Sequence, residues 1–396
     1  MIVDWGLLNG ESGIAIFASC CCAAPRRRQQ DAVHQLMELT MPPSPLIPTP
    51  DTIPAPAWVF HVLDVALFLL HITVINVLVG GSLLFLYSRL TKREHPNAAL
   101  EPLSKKLPVA FALGINLGVA PLLFLQVIWG HLFYSSSILL GVFWILVIPL
   151  VILAYYGTYI HAKSAGNFTA LLGIGMASLV LLYVGFIFVN NILLMMQPKE
   201  WTAYFGNRNG TILLLSDPTL IPRYLHYIVA SVAIAGLFLS TVWTIRKGKQ
   251  VEGADEQIGK GLKIFGYATV VQAAVGLWFL MALEREMMLQ FMGGDPWATA
   301  FFGIGFLSGL GAIATAFGGK FRPTVIMTII TMIAMVITRD QLRAMYLSGS
   351  FDPSSLTVNP QYGVLVLFLV ILVLGLASVV WMLRAGFRTD AGRAAS

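Results

Sequence analysis

Residues 58–90 read WVFHVLDVALFLLHITVINVLVGGSLLFLYSRL. A helix needs about 20 apolar residues to cross the hydrocarbon core of a bilayer, and this run exceeds that with one carboxylate, Asp64, and one terminal arginine, Arg89. The rest of the chain has the same character. Of 396 residues, 57% are hydrophobic and 11% are charged, against about 25% charged in soluble domains; the mean hydropathy is +0.78. Eight further runs have spanning length and composition, at 108–135, 138–161, 168–196, 223–245, 260–283, 298–317, 322–346 and 360–383. The expected fold is all-α, a polytopic membrane bundle of nine transmembrane helices in one domain. Glycines lie inside apolar runs and not between a strand and a helix, which excludes Rossmann and P-loop readings. The net charge of +6 then reflects membrane orientation and not nucleic acid.

Basic residues in the loops orient the bundle. With the N-terminus outside, the inner side carries Arg89, Lys92, Arg93, Lys105, Lys106, Lys163, Arg246, Lys247, Lys249, Lys260, Lys263, Lys320, Arg322, Arg384, Arg388 and Arg393. The outer side carries only Lys199, Arg208, Arg223, Arg285, Arg339 and Arg343 beyond the leader. The imbalance predicts N-out and C-in, which requires an odd number of spans, in a bacterial or archaeal cytoplasmic membrane. Residues 1–56 are expected to be a disordered leader and Pro-rich linker, with Met37 or Met41 as alternative starts, residues 57–385 the membrane domain and 386–396 a cytoplasmic tail. Cys20, Cys21 and Cys22 are consecutive in the leader and give no disulfide framework.

An ionisable group within a bilayer is costly and marks function, so the seven histidines locate the chemistry. His34 falls in the leader, His95 in an inner loop, and His161 at an inner helix end, where a solvated, snorkelling side chain is expected. His61, His71, His131 and His226 fall toward the outer side, and Asp64 is expected in the outer interface and not in lipid. Three intramembrane imidazoles from three helices form a set that a bundle can use for haem or metal. Zinc is disfavoured because no cysteine or His-x-x-x-His pair accompanies them. Asn116, Gln126, Asn190, Asn191 and Gln272 add intramembrane polarity that equally serves as interhelical hydrogen bonding.

Residues 112–120, ALGINLGVA, and 125–135, LQVIWGHLFYS, resemble the "GINFALGVATG…FQFGTNWAYYS" stretch of cytochrome bd quinol oxidase subunit I. Residues 188–198, FVNNILLMMQP, are similar to that family's "ANGWMQNPVG", and 223–230, RYLHYIVA, to its "RFVHTVTAG". His71 sits where the first-helix "HFLFVPLTLGL" histidine would be, and Asp340-Gln-Leu-Arg343 looks like the family's "ELGR". The likeness covers roughly residues 60–285 and includes the nine-helix, N-out topology.

The resemblance implies that His226 is an axial ligand of the low-spin haem b and His71 an axial ligand in the high-spin haem region. Position toward the outer side makes His131, His61 and Met196 further candidate ligands, and Arg223, Arg339 and Arg343 either propionate partners or, equally, surface anchors or a pair with Asp340. The chain also departs from the pattern. The two third-helix glutamates fall at Pro149 and Gly157, the quinol loop shrinks to residues 284–297, and Phe301-Phe302 stands where a methionine ligand would be. Conversely the tryptophan of "TNWAYYS" becomes His131. An imidazole gained and proton carriers lost favour six-coordinate, electron-transferring iron over oxygen chemistry. A bis-imidazole haem between His71 and His131 is expected, the alternative being that His131 only donates a hydrogen bond; His226 then needs another partner, for which Met195 or Met196 competes with core packing and His61 competes for either site. The function expected is a haem-b-containing subunit of a respiratory complex with other membrane subunits, exchanging electrons with a c-type cytochrome on the outer face. The alternatives are a complete oxygen or nitric oxide reductase, distinguished by carbon monoxide binding, and a haem-free scaffold or transporter.

Overall fold

The computed structural model describes residues 46–91, 100, 103–164 and 167–393. Cys20, Cys21, Cys22, His34 and His95 lie outside the described residues. Within them the chain is all-α, with nine helices long and apolar enough to cross a membrane. They are α1 (Ala57–Leu90), α2 (Leu107–Leu139), α3 (Gly141–Lys163), α4 (Asn167–Met196), α5 (Leu220–Lys247), α6 (Ala254–Ala282), α7 (Pro296–Phe317), α8 (Phe321–Leu347) and α9 (Tyr362–Arg393). Each coincides with one of the nine apolar runs. α6 starts six residues earlier than its run because Asp255, Glu256, Lys260 and Lys263 sit on solvated first turns, where Lys260 pairs with Glu256 at 2.8 Å.

Neighbours in sequence pack antiparallel. Gly81 of α1 lies against Leu103 and Leu107 while His71 lies against Gly118 of α2. α3 and α4 cross where Gly157 meets Gly173, and a side chain at either glycine would strike the other's carbonyl oxygen. That contact excludes a glutamate at 157, the position where the resembling family carries one. α5 and α6 cross through Gly236 and Gly261, with the Ser240 hydroxyl donating to the Ile258 carbonyl at 2.9 Å. Small residues at such crossings let backbones approach in the absence of a hydrophobic drive between helices. α1 and α5 instead run parallel: the Ser231 hydroxyl donates to Asn76 Oδ1 at 2.9 Å, and Gly80, one turn on, packs against Ser231 and Ala235.

The ends of the helices have local causes. α2 passes directly into α3 through Leu140 (φ −107°, ψ 26°), a corner fixed by the bonds Val142 N–H to Gly210 O and Ile212 N–H to Leu139 O, both 3.0 Å. α7 begins with Asp295 accepting from the Ala298 N–H and Pro296 at its first position, a pattern that caps orphan donors at no cost to the ladder. Between α6 and α7 only a short helix (Arg285–Leu289) and one π turn (Gln290–Gly294) intervene.

The segment just before α1 departs from the expected free linker. Ile53 and Ala55 are buried, and Ile53 pairs with the stretch entering α9, its N–H donating to Thr357 O at 2.9 Å and its carbonyl accepting from Asn359 at 2.8 Å. Two apolar side chains and paired backbone groups anchor it across the end of the bundle where Trp58 lies, below called the Trp58 end. α9 touches the bundle through Leu365, Phe368 and Leu372, with Phe368 edge-on to Phe124 at 5.2 Å; most of its side chains up to Trp381 are exposed, as lipid contact allows.

Candidate functional site

His71 lies midway along α1 and faces α2. Its Nδ1 is 2.9 Å from the Gly114 carbonyl, and Gly118 leaves the room its ring occupies, since a side chain there would collide with the imidazole. A carbonyl acceptor places the proton on Nδ1 and leaves Nε2 with a free lone pair, the arrangement that orients metal-ligating histidines. The ring of Phe68 stands 6.4 Å away, and the Arg339 guanidinium of α8 lies over that phenyl face at 4.3 Å.

His226 repeats the arrangement on α5. It faces α6 across Gly276, with Phe279 at 6.4 Å, and the Arg223 guanidinium lies over Phe279 at 4.8 Å. Its Nδ1 is buried without a hydrogen-bond partner, as are Nε and Nη2 of Arg223. Buried polar atoms are almost always paired, so these groups are open to a further partner, as is Nε2 of His131 and of His161. His71 and His226 each lie five residues before the paired Asn76 and Ser231 on parallel helices, and so at one depth. One faces α2 and the other α6.

A buried ionic node lies beside them. Arg343 is 2% exposed and donates to Asp64 at 2.8 Å and to Asp340, with the Trp129 ring 5.7 Å from its guanidinium. His61 Nδ1 is 3.7 Å from Asp340. The sequence placed Asp64 in the interface; it sits inside the bundle because Arg343 compensates it. Arg343 therefore already has carboxylate partners and is not a spare cation, unlike Arg223 and Arg339.

The expected pairing of His71 with His131 does not form. His131 lies thirteen residues beyond Gly118 along α2, roughly 20 Å at about 1.5 Å per residue. A break at Trp129 (φ −118°, ψ 19°) precedes it, and its ring packs edge-on against Phe351 at 4.4 Å with Nε2 buried and unpartnered. Both histidines read as "outer" in sequence because helix ends and not helix pairings set the estimate. Met195 and Met196 are sealed in the core cluster with Trp201 and Leu193, whereas Phe279 beside His226 packs against the cluster of Leu283, Phe291, Ala298 and Leu342, as do Met287 and Met288 of the short α6–α7 connection. His161 is 3% exposed, not snorkelling: α4 closes over it, Ala170 O lies 3.2 Å from Nδ1, and the Phe85 ring lies tilted against it at 4.9 Å.

Among the described residues no group of three or more histidine, cysteine or acidic side chains could hold a bare ion. A macrocycle that brings its own four nitrogens needs one imidazole and cations for its acid groups. In kind, His71 with Arg339 and His226 with Arg223 are the donors a haem would use. Phe68, Phe279 and Gly276 carried no signal in the sequence, where they are three apolar residues among many, whereas Gly114 falls within the 112–120 stretch quoted above. No protein-family model, curated protein or solved structure matches this chain.

Proposed function

We propose that this protein is a haem-b-binding membrane subunit of a respiratory electron-transfer complex. The observation that carries the reading is the repeated set of arginine on phenylalanine beside histidine, present twice at one depth, each histidine retaining a ring nitrogen without a protein partner. The motif likeness to cytochrome bd subunit I at 112–135 and 223–230 points the same way.

Bound haem would supply one-electron chemistry at iron. His71 would offer Nε2, held in its tautomer by Gly114, and His226 would offer a ring nitrogen in a site walled by Phe279 and opened by Gly276. Arg339 and Arg223, lacking carboxylates of their own, would hold acidic groups of the ligand with charge-assisted hydrogen bonds. The apolar walls keep water away and so raise the worth of those contacts. With basic residues on the cytoplasmic side, the Trp58 end faces outward, and the two sites lie nearer that face. Electrons would then pass to or from a c-type cytochrome docked there, and other membrane subunits would cover the exposed helices.

His71→Ala and His226→Ala tests this. Each should lose about one haem per chain by pyridine haemochrome quantification while the other is retained; unchanged haem content in both variants would overturn the proposal.

A further inference from the structure

A groove of about 410 Å³ runs along the lipid-facing side of the bundle between α1 and α8, walled by Val62, Val65, Ala66 and Leu69 on one side and Ile333 and Val336 on the other, with His61 bordering it. Its size lies within the range of small-ligand sites, about 300–1,000 Å³. Its polar lining residue is His61, at the Trp58 end, and Asp340 lies 3.7 Å behind that ring. The side chains of His61 and Asp340 are 27% and 22% exposed, while those of Arg343 and Asp64 behind them are 3% and 7% exposed. The cation of the node is thus shut inside and its acceptors are turned outward. Arg343 donates to Asp340, and His61 Nδ1 lies 3.7 Å from the same carboxylate. Trp58, 67% exposed and less than one turn nearer the helix start, marks the interface.

We infer that this groove binds one aminophospholipid, with its primary ammonium on Asp340 and His61 and one acyl chain along Val62 to Leu69. Charge complementarity selects that head. A carboxylate that is part-exposed beyond its bond to Arg343 favours a cationic N–H donor, with which it makes a charge-assisted bond. A choline head has the charge but no N–H, and a glycerol head has donors but no cation, leaving its phosphate facing Asp340. Arg339, the other nearby cation, is turned onto Phe68. The lipid would clamp α1 to α8 at the helices carrying His71 and Arg339. The inference is independent of haem, because the groove and its polar end involve neither His71 nor His226.

The test is native mass spectrometry of the delipidated full chain given equimolar palmitoyl-oleoyl phosphatidylethanolamine, phosphatidylcholine and phosphatidylglycerol. The expected result is about tenfold greater occupancy by phosphatidylethanolamine, the ratio one such charge-assisted bond supplies, with a higher melting temperature in that lipid alone. Ala66→Phe fills the groove from an exposed position without touching the ionic node, and should abolish the preference while leaving the unliganded melting temperature unchanged. Equal occupancy by the three lipids, or an undiminished preference in Ala66→Phe, would overturn the inference.

Discussion

Arg223→Met separates a structural arginine from one kept for a ligand, because the two roles give effects of opposite sign. In the free protein Nε and Nη2 of Arg223 are buried with no partner. Leaving such a group unsatisfied costs about 1–3 kcal/mol, and its stacking on Phe279 at 4.8 Å returns about 0.5–1 kcal/mol. Methionine fills similar space without the charge, so the haem-free variant should be more stable than wild type by roughly 0.5–2 kcal/mol, a rise of a few degrees in melting temperature. With haem present the sign reverses. The variant loses a charge-assisted hydrogen bond worth about 1.5–3 kcal/mol, which weakens haem binding about ten- to a hundredfold. Thermal unfolding of haem-free protein in detergent, and Soret titration of both proteins with haemin, measure the two arms. A variant that is less stable without haem yet binds haem as tightly as wild type would refute the reasoning.

Asp64→Ala should destabilise the fold by about 3–5 kcal/mol, since Arg343 is left buried beside a single carboxylate; denaturant unfolding in mixed micelles measures it, and a change below about 1 kcal/mol would show that the node carries little. Gly118→Val should remove the haem held by His71 and keep that held by His226, because the added side chain occupies the imidazole's place; haem content and the residual α-band report it. His161→Ala should retain full haem content while losing about 1–3 kcal/mol, a cavity effect far from either site. His131→Ala should leave the spectrum of the His71 haem unaltered, and a new carbon monoxide-binding species derived from that haem would contradict the roughly 20 Å separation along α2.

The nine spans were legible because apolar runs longer than about 20 residues have one outcome in a bilayer. His71 and His226 were legible because an imidazole inside such a run is conspicuous. What surrounds them was not. Phe68 and Phe279 look like any membrane-facing phenylalanine until helix pairing sets Arg339 over one and Arg223 over the other. The depth of His131 relative to His71 was misjudged, because α2 runs to Leu139 and breaks at Trp129, and contacts that appear only on folding, such as His71 with Gly114 and Gly118, fix the register of α1 against α2. His161 was misjudged for a related reason: nothing in a single helix tells that Gly157 and Gly173 let α4 close over it. Asp64 was assigned to the interface on the cost of an isolated charge, a cost that Arg343, distant in sequence, removes.

The most direct measurement is a reduced-minus-oxidised optical spectrum of the purified chain with pyridine haemochrome quantification. The expected result is a b-type spectrum with a Soret band and two haems per chain, reduced to one by either His71→Ala or His226→Ala. A preparation that stays without a Soret band after expression with ample haem and reconstitution with haemin would contradict the account at its centre.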